Sequence, residues 1–300
     1  MKKNNKKIIL YLGGGAMSGV YGAGVLKGLH DLLLTESIEA IYSGSAGSVN
    51  AAYLLSDKVE IGSTIYWEDL RHGFLFPFNI IRGTIDLFYN RFIKEIEKEK
   101  FHNVVNVDYV YNILQNIKPL DLDMIKNHPI SLYVKVLDID TGETEYKVFK
   151  DYANLALLKA AINVKPYSFE ETILNGKRYV DATIKEPLGI EYLLDKYHDR
   201  KIVVILNEPI KRGFRHYLKN FLEGTVSGLY PYNISLYKMF MNRENLIRKD
   251  IQICLSDERI LLLYPNFKNR ARPRTTDPLV LQQTFNLGLE DAKKVIDFIH

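Results

Sequence analysis

The chain has 300 residues, of which 47% are apolar and 25% are charged, and its formal net charge is +4. This composition is typical of a folded globular protein and excludes a disordered or low-complexity chain. The single cysteine, Cys254, excludes an intramolecular disulfide, and its apolar surroundings in the sequence predict a packing role. No apolar stretch reaches the roughly 20 residues that a membrane-spanning helix needs.

The first elements alternate between strand and helix. Residues 1–6 are read as a basic tail, and residues 7–12 are apolar throughout, which predicts a central strand of a parallel sheet. Residues 20–34 have helical apolar spacing, residues 38–42 form a second predicted strand, and residues 45–55 a second helix. This order is typical of an α/β fold with a parallel sheet covered by helices.

Residues 72–93 are dense in large apolar side chains but show no clean period. They are read either as ordinary core or as a cap beside a site that binds acyl chains. Further along the chain, the predicted elements are a hairpin at 130–140 and 143–149, a helix at 155–162, a buried strand at 201–206 and a helix at 277–299.

Neither an internal repeat nor a low-complexity linker divides the chain. A single domain over residues 7–300 is therefore expected. It is expected to consist of a core at 7–210, which holds the motifs described below, and a basic, mostly helical elaboration at 211–300.

Basic residues are concentrated in the second half, where residues 201–275 contain fourteen Lys or Arg against six Asp or Glu. A solvated surface, an anionic membrane surface and nucleic acid are the possible explanations. The absence of a groove-reading motif disfavours nucleic acid. Lys211, Arg212 and Arg215 are predicted to contribute to contact with anionic vesicles.

A glycine-rich loop follows the first predicted strand and leads into a helix. Its residues Gly14, Gly15 and Ala16 offer backbone N–H groups that can hold an anion. A dinucleotide fingerprint is the rival interpretation, but Ala16 stands at its second required glycine, and the second strand ends without an acidic residue.

A second motif follows the second predicted strand and places a serine on a tight turn into a helix. Ser45 is the candidate nucleophile, and its small neighbours tolerate the strained turn. They are Ser43, Gly44, Ala46 and Gly47.

The sequence leaves two arrangements open for the base that activates this serine. A histidine late in the chain would complete a triad, with His198, His216 and His300 as candidates. Alternatively, a carboxylate acts directly, and Asp181 stands at the end of a short apolar run before a turn.

At these residues the chain resembles the patatin-like phospholipases, a family of lipid acyl hydrolases, and its C-terminal part is similar to a bacterial branch of that family. The resemblance rests on the glycine loop at 14–26, the serine motif at 43–47 and the segment 178–182, which occur in the family's order. Two departures are Ser18, where the family usually has Arg or Lys, and Ala182, where a glycine follows the aspartate.

The resemblance implies a three-layer α/β/α fold with a mostly parallel central sheet and a catalytic dyad of Ser45 and Asp181. It implies an oxyanion hole at Gly14, Gly15 and Ala16, and phospholipids or other acyl-ester lipids as substrates. This chemistry requires no metal and no cofactor.

Two alternatives remain on the same fold. The first is a catalytically weak protein that binds lipids or a partner, and the second is an acyltransferase. The expected location is the cytoplasm, with peripheral contact to anionic membranes; non-classical secretion leaves no readable mark.

Overall fold

A computed structural model describes residues 8–93 and 102–299; the predicted basic tail at 1–6 lies outside the described residues. The strands are β1 (Ile8–Leu12), β2 (Ile38–Ser43), β3 (Ser131–Asp138), β4 (Thr144–Val148), β5 (Thr172–Leu174), β6 (Lys177–Asp181), β7 (Lys201–Ile205) and β8 (Ile260–Leu263). They form one sheet in the order β5-β6-β3-β2-β1-β7-β8, and β4 also pairs with β3.

The helices are α1 (Val20–Asp31), α2 (Ala46–Leu55), α3 (Val59–Glu68), α4 (Leu70–Gly73), α5 (Asn79–Phe92), α6 (Val107–Asn112), α7 (Leu122–Asn127), α8 (Ala156–Ile162), α9 (Ile190–Lys196), α10 (Phe214–Ser227), α11 (Leu236–Ser256), α12 (Pro278–Asp291) and α13 (Lys294–Ile299). Among the described residues, no helix is long and apolar enough to cross a membrane.

The centre of the sheet is parallel, and its edge beyond β3 is antiparallel. β1 pairs in parallel with β2 and β7, β3 pairs in parallel with β2, and β8 with β7. β4 and β6 run antiparallel to β3, and β5 runs antiparallel to β6. The predicted mostly parallel sheet is confirmed.

Both faces of the sheet are covered, because side chains alternate along β1. Ile8 and Leu10 pack with residues of α1, α2, α3 and α12, whereas Ile9 and Tyr11 pack with residues of α9 and α11. The result is the expected three-layer α/β/α fold. Cys254 lies in the second core, where burial raises its pKa to about 12, so its predicted packing role is confirmed.

Most predicted elements form with ends shifted by a few residues, and two segments differ. The single helix predicted at 277–299 is two helices, α12 and α13. Residues 79–92, which showed no clean period, form α5, and Ile81, Ile85 and Phe88 are largely exposed on it. The apolar residues of α5 do have helical spacing, but those named here form a stripe that faces outward rather than into the core.

Helices α1 and α12 touch through their backbones. A Cβ atom added at Gly24 would lie 2.0 Å from the carbonyl oxygen of Phe285, and one at Gly288 would lie 2.2 Å from that of Tyr21. Only glycine permits this approach. The C-terminal part of the chain therefore supports the helix that follows the glycine loop.

Candidate active site

Ser45 occupies a strained turn between β2 and α2. Its backbone has φ 52° and ψ −131°, a conformation that residues other than glycine rarely adopt. The turn is held by a hydrogen bond of 3.1 Å from the Gly44 N–H to the carbonyl oxygen of Leu12. A side chain at Gly47 would lie 2.5 Å from that same oxygen, which explains the small residue there. Ser45 thus lies just beyond the carboxyl end of β2, immediately before the N-terminus of α2.

Asp181 is brought to this turn by the register of β3. One residue of β3, Val134, pairs with Ser43 at the end of β2, and Val136 pairs with Asp181 at the end of β6. Val136 also pairs with Glu145 of β4, so β6 shares the β2 edge of β3. The two strands therefore meet end to end, and their last residues lie side by side.

The Asp181 carboxyl group is fully buried, and burial raises its pKa above the ordinary aspartate value. Four groups oppose this rise: the Thr183 N–H, which donates to Oδ1 at 2.8 Å, the nearby hydroxyls of Ser45 and Thr183, and the charge of Lys135. Oδ2 accepts no hydrogen bond of ordinary geometry from the described residues. One oxygen of the carboxyl group is therefore held in place, and the other is available to a proton.

Lys135 is a buried cation beneath this turn. Its ammonium group donates to the backbone carbonyls of Glu186, Pro187 and Leu188, the last at 3.2 Å, and burial lowers its pKa. A Cβ atom at Gly44 would lie 3.5 Å from its side chain. Lys135, on β3, thus ties the segment that follows Asp181 to the strand beside the Ser45 turn.

The glycine loop lies against the serine. A Cβ atom at Gly14 would lie 2.8 Å from that of Ser45, and Gly15 and Ala16 line the same cavity as the serine. Within the part of the chain that the structure describes, the N–H groups of these three loop residues donate to no acceptor. Three unpaired donors beside a serine form a suitable site for a developing oxyanion.

Asn207, at the end of β7, fixes this loop. Its Nδ2 donates to the carbonyl oxygens of Gly13 at 2.7 Å and Gly14 at 3.1 Å. Its Oδ1 accepts from the N–H of Gly22 at 2.8 Å. The side chain is buried, so these bonds form away from bulk water. Asn207 therefore joins both ends of the loop to the sheet.

Ser18 also holds the loop from within. Its hydroxyl donates to the carbonyl oxygen of Gly15 at 2.7 Å, and its side chain is fully buried. The serine therefore stabilises the fold of the loop without adding a charge.

A cavity of about 960 Å³ opens above the Ser45 and Asp181 side chains. Part of its lining is apolar and comes from α3 to α6 and the segments between them. This apolar wall consists of Ile65, Leu70, Phe74, Leu75, Ile80, Val104, Val105 and Val110. Residues 72–93 thus contribute to the cavity, and Phe74 and Leu87 of the same segment also belong to the core, so each of the two interpretations describes part of the segment.

The histidines considered as bases have different positions. His216 lines the cavity, but its Nδ1 accepts from the N–H of Gly213 at 3.1 Å. His198 does not line it, and His300 lies outside the described residues. No cluster of three or more His, Cys, Asp or Glu side chains within residues 8–93 and 102–299 is arranged to hold a metal ion.

Sequence reasoning missed Asn207 and Lys135. Asn207 directly follows the predicted buried strand at 201–206, and Lys135 lies within the predicted hairpin, but the sequence assigns no role to either residue. The only available signal was position: Asn207 ends a buried strand, and Lys135 interrupts an apolar strand with a charge. Their partners are far away in the sequence.

The model of the family described as "Patatin-like phospholipase" matches residues 10–194, more than half of the chain. Comparison with the curated proteins finds no match. Among solved structures, VipD from Legionella pneumophila is similar at 11% identity and a TM-score of 0.46, covering 97% of this chain and 67% of VipD. The type III effector protein ExoU is similar at 11% identity and a TM-score of 0.32, covering 96% of this chain and 54% of ExoU.

Both structural similarities are low, and the chain spans little more than half of ExoU. The family match includes the glycine loop, the Ser45 turn and Asp181 in one continuous segment. The chain therefore belongs to the patatin-like phospholipase family.

Proposed function

We propose that this protein is a lipid acyl hydrolase in which Ser45 is the nucleophile and Asp181 the base. The observation that carries this proposal is the β3 register, which places the end of β6 beside the end of β2. A buried carboxyl group with one unbonded oxygen then lies near a serine on a strained turn. Hydrogen bonds between catalytic groups are often long in the absence of substrate.

In the proposed reaction, the Ser45 Oγ attacks the ester carbonyl carbon while its proton passes to Oδ2 of Asp181. The amides of Gly14, Gly15 and Ala16 stabilise the oxyanion of the tetrahedral intermediate. Collapse of this intermediate expels the alcohol, which takes the proton from Asp181. A water molecule then gives a proton to the same carboxylate and attacks the acyl-enzyme. Collapse of this second intermediate returns the proton from Asp181 to the Ser45 Oγ and releases the acid.

The cavity supports a lipid as the substrate. Its apolar wall would remove an acyl chain from water, which contributes about 0.8 kcal/mol for each buried methylene group. The family to which the chain belongs acts on lipids, and the volume of about 960 Å³ suits a chain of several carbons.

A fluorophosphonate probe tests this proposal directly, because it reacts with serines that a base has activated. We expect an adduct on Ser45, located by mass spectrometry of the digested protein, and no adduct in Ser45→Ala. Ser48→Ala is the matched control and should be labelled normally. It changes a buried serine on α2, the helix that follows Ser45. Absence of labelling in the wild-type protein would favour the binding alternative.

We also propose peripheral contact with membranes through α5. Ile81, Ile85, Phe88 and Phe92 are each at least half exposed and lie on one face of this helix. Ile80 of the same helix lines the cavity, so lipid bound by this stripe would lie beside the opening. An exposed apolar helix face next to a lipid cavity suits the membrane interface.

Arg212, by contrast, is unsuitable for membrane contact. Its side chain is only 7% exposed and forms an ion pair with the buried Glu244. Among the residues first predicted to touch vesicles, Lys211 and Arg215 are exposed.

Replacing Ile81 and Phe88 with serine should weaken vesicle binding by about tenfold or more, since both side chains would leave the lipid. Co-sedimentation with vesicles of mixed phosphatidylglycerol and phosphatidylcholine measures this. Ile173→Ser with Leu255→Ser removes equally exposed apolar side chains outside α5 and should bind normally. Equal binding by both double variants would rule out α5 as the contact.

A further inference from the structure

The cavity has a second wall that is basic. Eight Lys or Arg side chains line the cavity against three acidic ones, which are Asp181, Glu208 and Glu223. Most of the basic residues come from α10 and from the segment 270–275, between β8 and α12. This excess of positive charge is unusual for a pocket that binds only an acyl chain.

The acidic side chains of the lining neutralise only part of this wall. Asp181 belongs to the proposed dyad, Glu208 pairs with Arg212 at 3.4 Å, and Glu223 pairs with Lys219 at 3.5 Å. Five other arginines of the lining form no ion pair with an acidic side chain within the described ranges. They are Arg215, Arg243, Arg270, Arg272 and Arg274.

A buried neutral donor lies in the same wall. Oδ1 of Asn220 accepts from the Arg243 guanidinium at 3.3 Å, while its Nδ2 is buried without a partner among the described residues. Asn220 is 2% exposed and lines the cavity. Arg243 also donates to the carbonyl oxygen of Thr183 at 3.0 Å. An unpaired donor in this position requires an acceptor, because leaving it buried and unsatisfied is unfavourable.

Part of the basic wall is fixed next to the proposed oxyanion loop. The carbonyl oxygen of Pro273 accepts from the N–H of Met17 at 3.4 Å. The Arg272 N–H donates to the Thr275 hydroxyl at 2.8 Å, and the Ala271 N–H to the buried Thr284 hydroxyl at 2.7 Å. Arg272 and Arg274 therefore lie on an anchored turn. This turn contacts Met17, the residue after the glycine loop that would hold the ester carbonyl.

The arginines of this turn also repel one another. Burial lowers the pKa of Arg270, and the nearby positive charge of Arg272 lowers it further. Guanidinium groups bind phosphate oxygens through strong, charge-assisted hydrogen bonds. A bound phosphate would relieve the repulsion and accept from the unpaired donors.

We propose that this basic wall is a headgroup subsite and that the substrate is an acyl ester of a phospholipid with net negative charge, such as a phosphatidylglycerol. The phosphate lies between the 270–275 turn and α10, and the acyl chain lies against the apolar wall. This inference rests on the proposed function for the placement of the ester at Ser45. A zwitterionic headgroup would add a cation to a wall that already has an excess of them.

Binding to the Ser45→Ala protein tests the subsite without requiring turnover. The ligands are short-chain phosphatidylglycerol and phosphatidylcholine. Both are used below their critical micelle concentrations, so that no charged bilayer contributes to binding. Titration calorimetry should give a Kd at least about tenfold lower for phosphatidylglycerol, and high salt should reduce the difference. Equal Kd values would overturn the proposal.

Arg272→Gln with Arg274→Gln, in the same Ser45→Ala background, should bring the two Kd values to within about twofold of each other. Lys249→Gln with Lys293→Gln is the control: it removes the same charge from exposed residues outside the cavity and should retain the preference. An unchanged preference in the arginine variant would overturn the proposal. The proposal would also be overturned if inorganic phosphate bound as tightly as the lipid, because the site would then bind a free anion.

Hydrolysis by the wild-type protein separates this proposal from the proposed function. A preference in binding together with a lack of Ser45-dependent hydrolysis supports the subsite and contradicts the hydrolase. Ser45-dependent hydrolysis at equal kcat/KM for both lipids supports the hydrolase and contradicts the subsite.

Discussion

Ser45→Ala is expected to lower kcat for ester hydrolysis by at least about 10⁴-fold, because no other group at the turn replaces its nucleophilic oxygen. A chromogenic short-chain ester and a phospholipid should both report this loss. The substitution removes one oxygen from a side chain that lines the cavity, so the fold should persist, as circular dichroism would show. Ser48→Ala should keep the wild-type kcat.

Asp181→Asn should cost about 10²- to 10⁴-fold in kcat, the usual contribution of a general base. An amide has the same shape but does not accept the serine proton. Activity that survives either substitution would contradict the dyad, and activity lost only when His216 is replaced would support a histidine base instead.

The pH profile provides a second check of the same assignment. Burial raises the pKa of Asp181, and only its carboxylate form accepts a proton. Activity should therefore be present above this pKa and disappear as the pH falls through it. We expect the midpoint of the acid limb of kcat/KM to lie above the value of about 3.9 that is ordinary for aspartate.

Asn207→Leu should lower kcat by about 10²-fold, comparable to the loss of one oxyanion donor. Leucine has a similar size but leaves the carbonyls of Gly13 and Gly14 and the N–H of Gly22 without their partner. The loop would then no longer be held in the geometry that aims its amides at the proposed oxyanion position. KM should change much less than kcat, because the cavity walls remain.

Asn207→Asp separates positioning from simple packing. It keeps the shape and the acceptor for Gly22 but loses the donor to the two loop carbonyls. We expect a similar loss in kcat and slower fluorophosphonate labelling of Ser45. Asn116→Leu, at an exposed helical residue, is the matched control. A loss in unfolding free energy with an unchanged labelling rate would show that Asn207 only stabilises the fold.

Local features of the structure could be predicted from the sequence. The strand and helix on each side of Ser45 follow from short-range apolar patterns, and so does the hairpin formed by β3 and β4. The glycine loop was visible for the same reason, since small residues at strand ends permit tight turns.

Features that depend on register could not be predicted. Nothing in residues 177–181 indicates that β6 meets the end of β2; this depends on the pairing of both strands with β3. The contacts of Asn207 with the loop and the convergence of α10 with the 270–275 turn are long-range for the same reason. The exposure of the apolar stripe of α5 could not be predicted either, because apolar spacing does not indicate whether that face is buried or exposed.

The position of β1 between β2 and β7 has a consequence for synthesis on the ribosome. β1 is synthesised before the strand that covers its second edge, residues 201–205, and before the helix that packs against α1, residues 278–291. A growing chain therefore exposes an apolar, unpaired strand edge while most of the domain is translated, a state that favours chaperone binding. The same delay keeps Asn207 from fixing the glycine loop, so the proposed active site stays unassembled until residue 207 has been synthesised and folded.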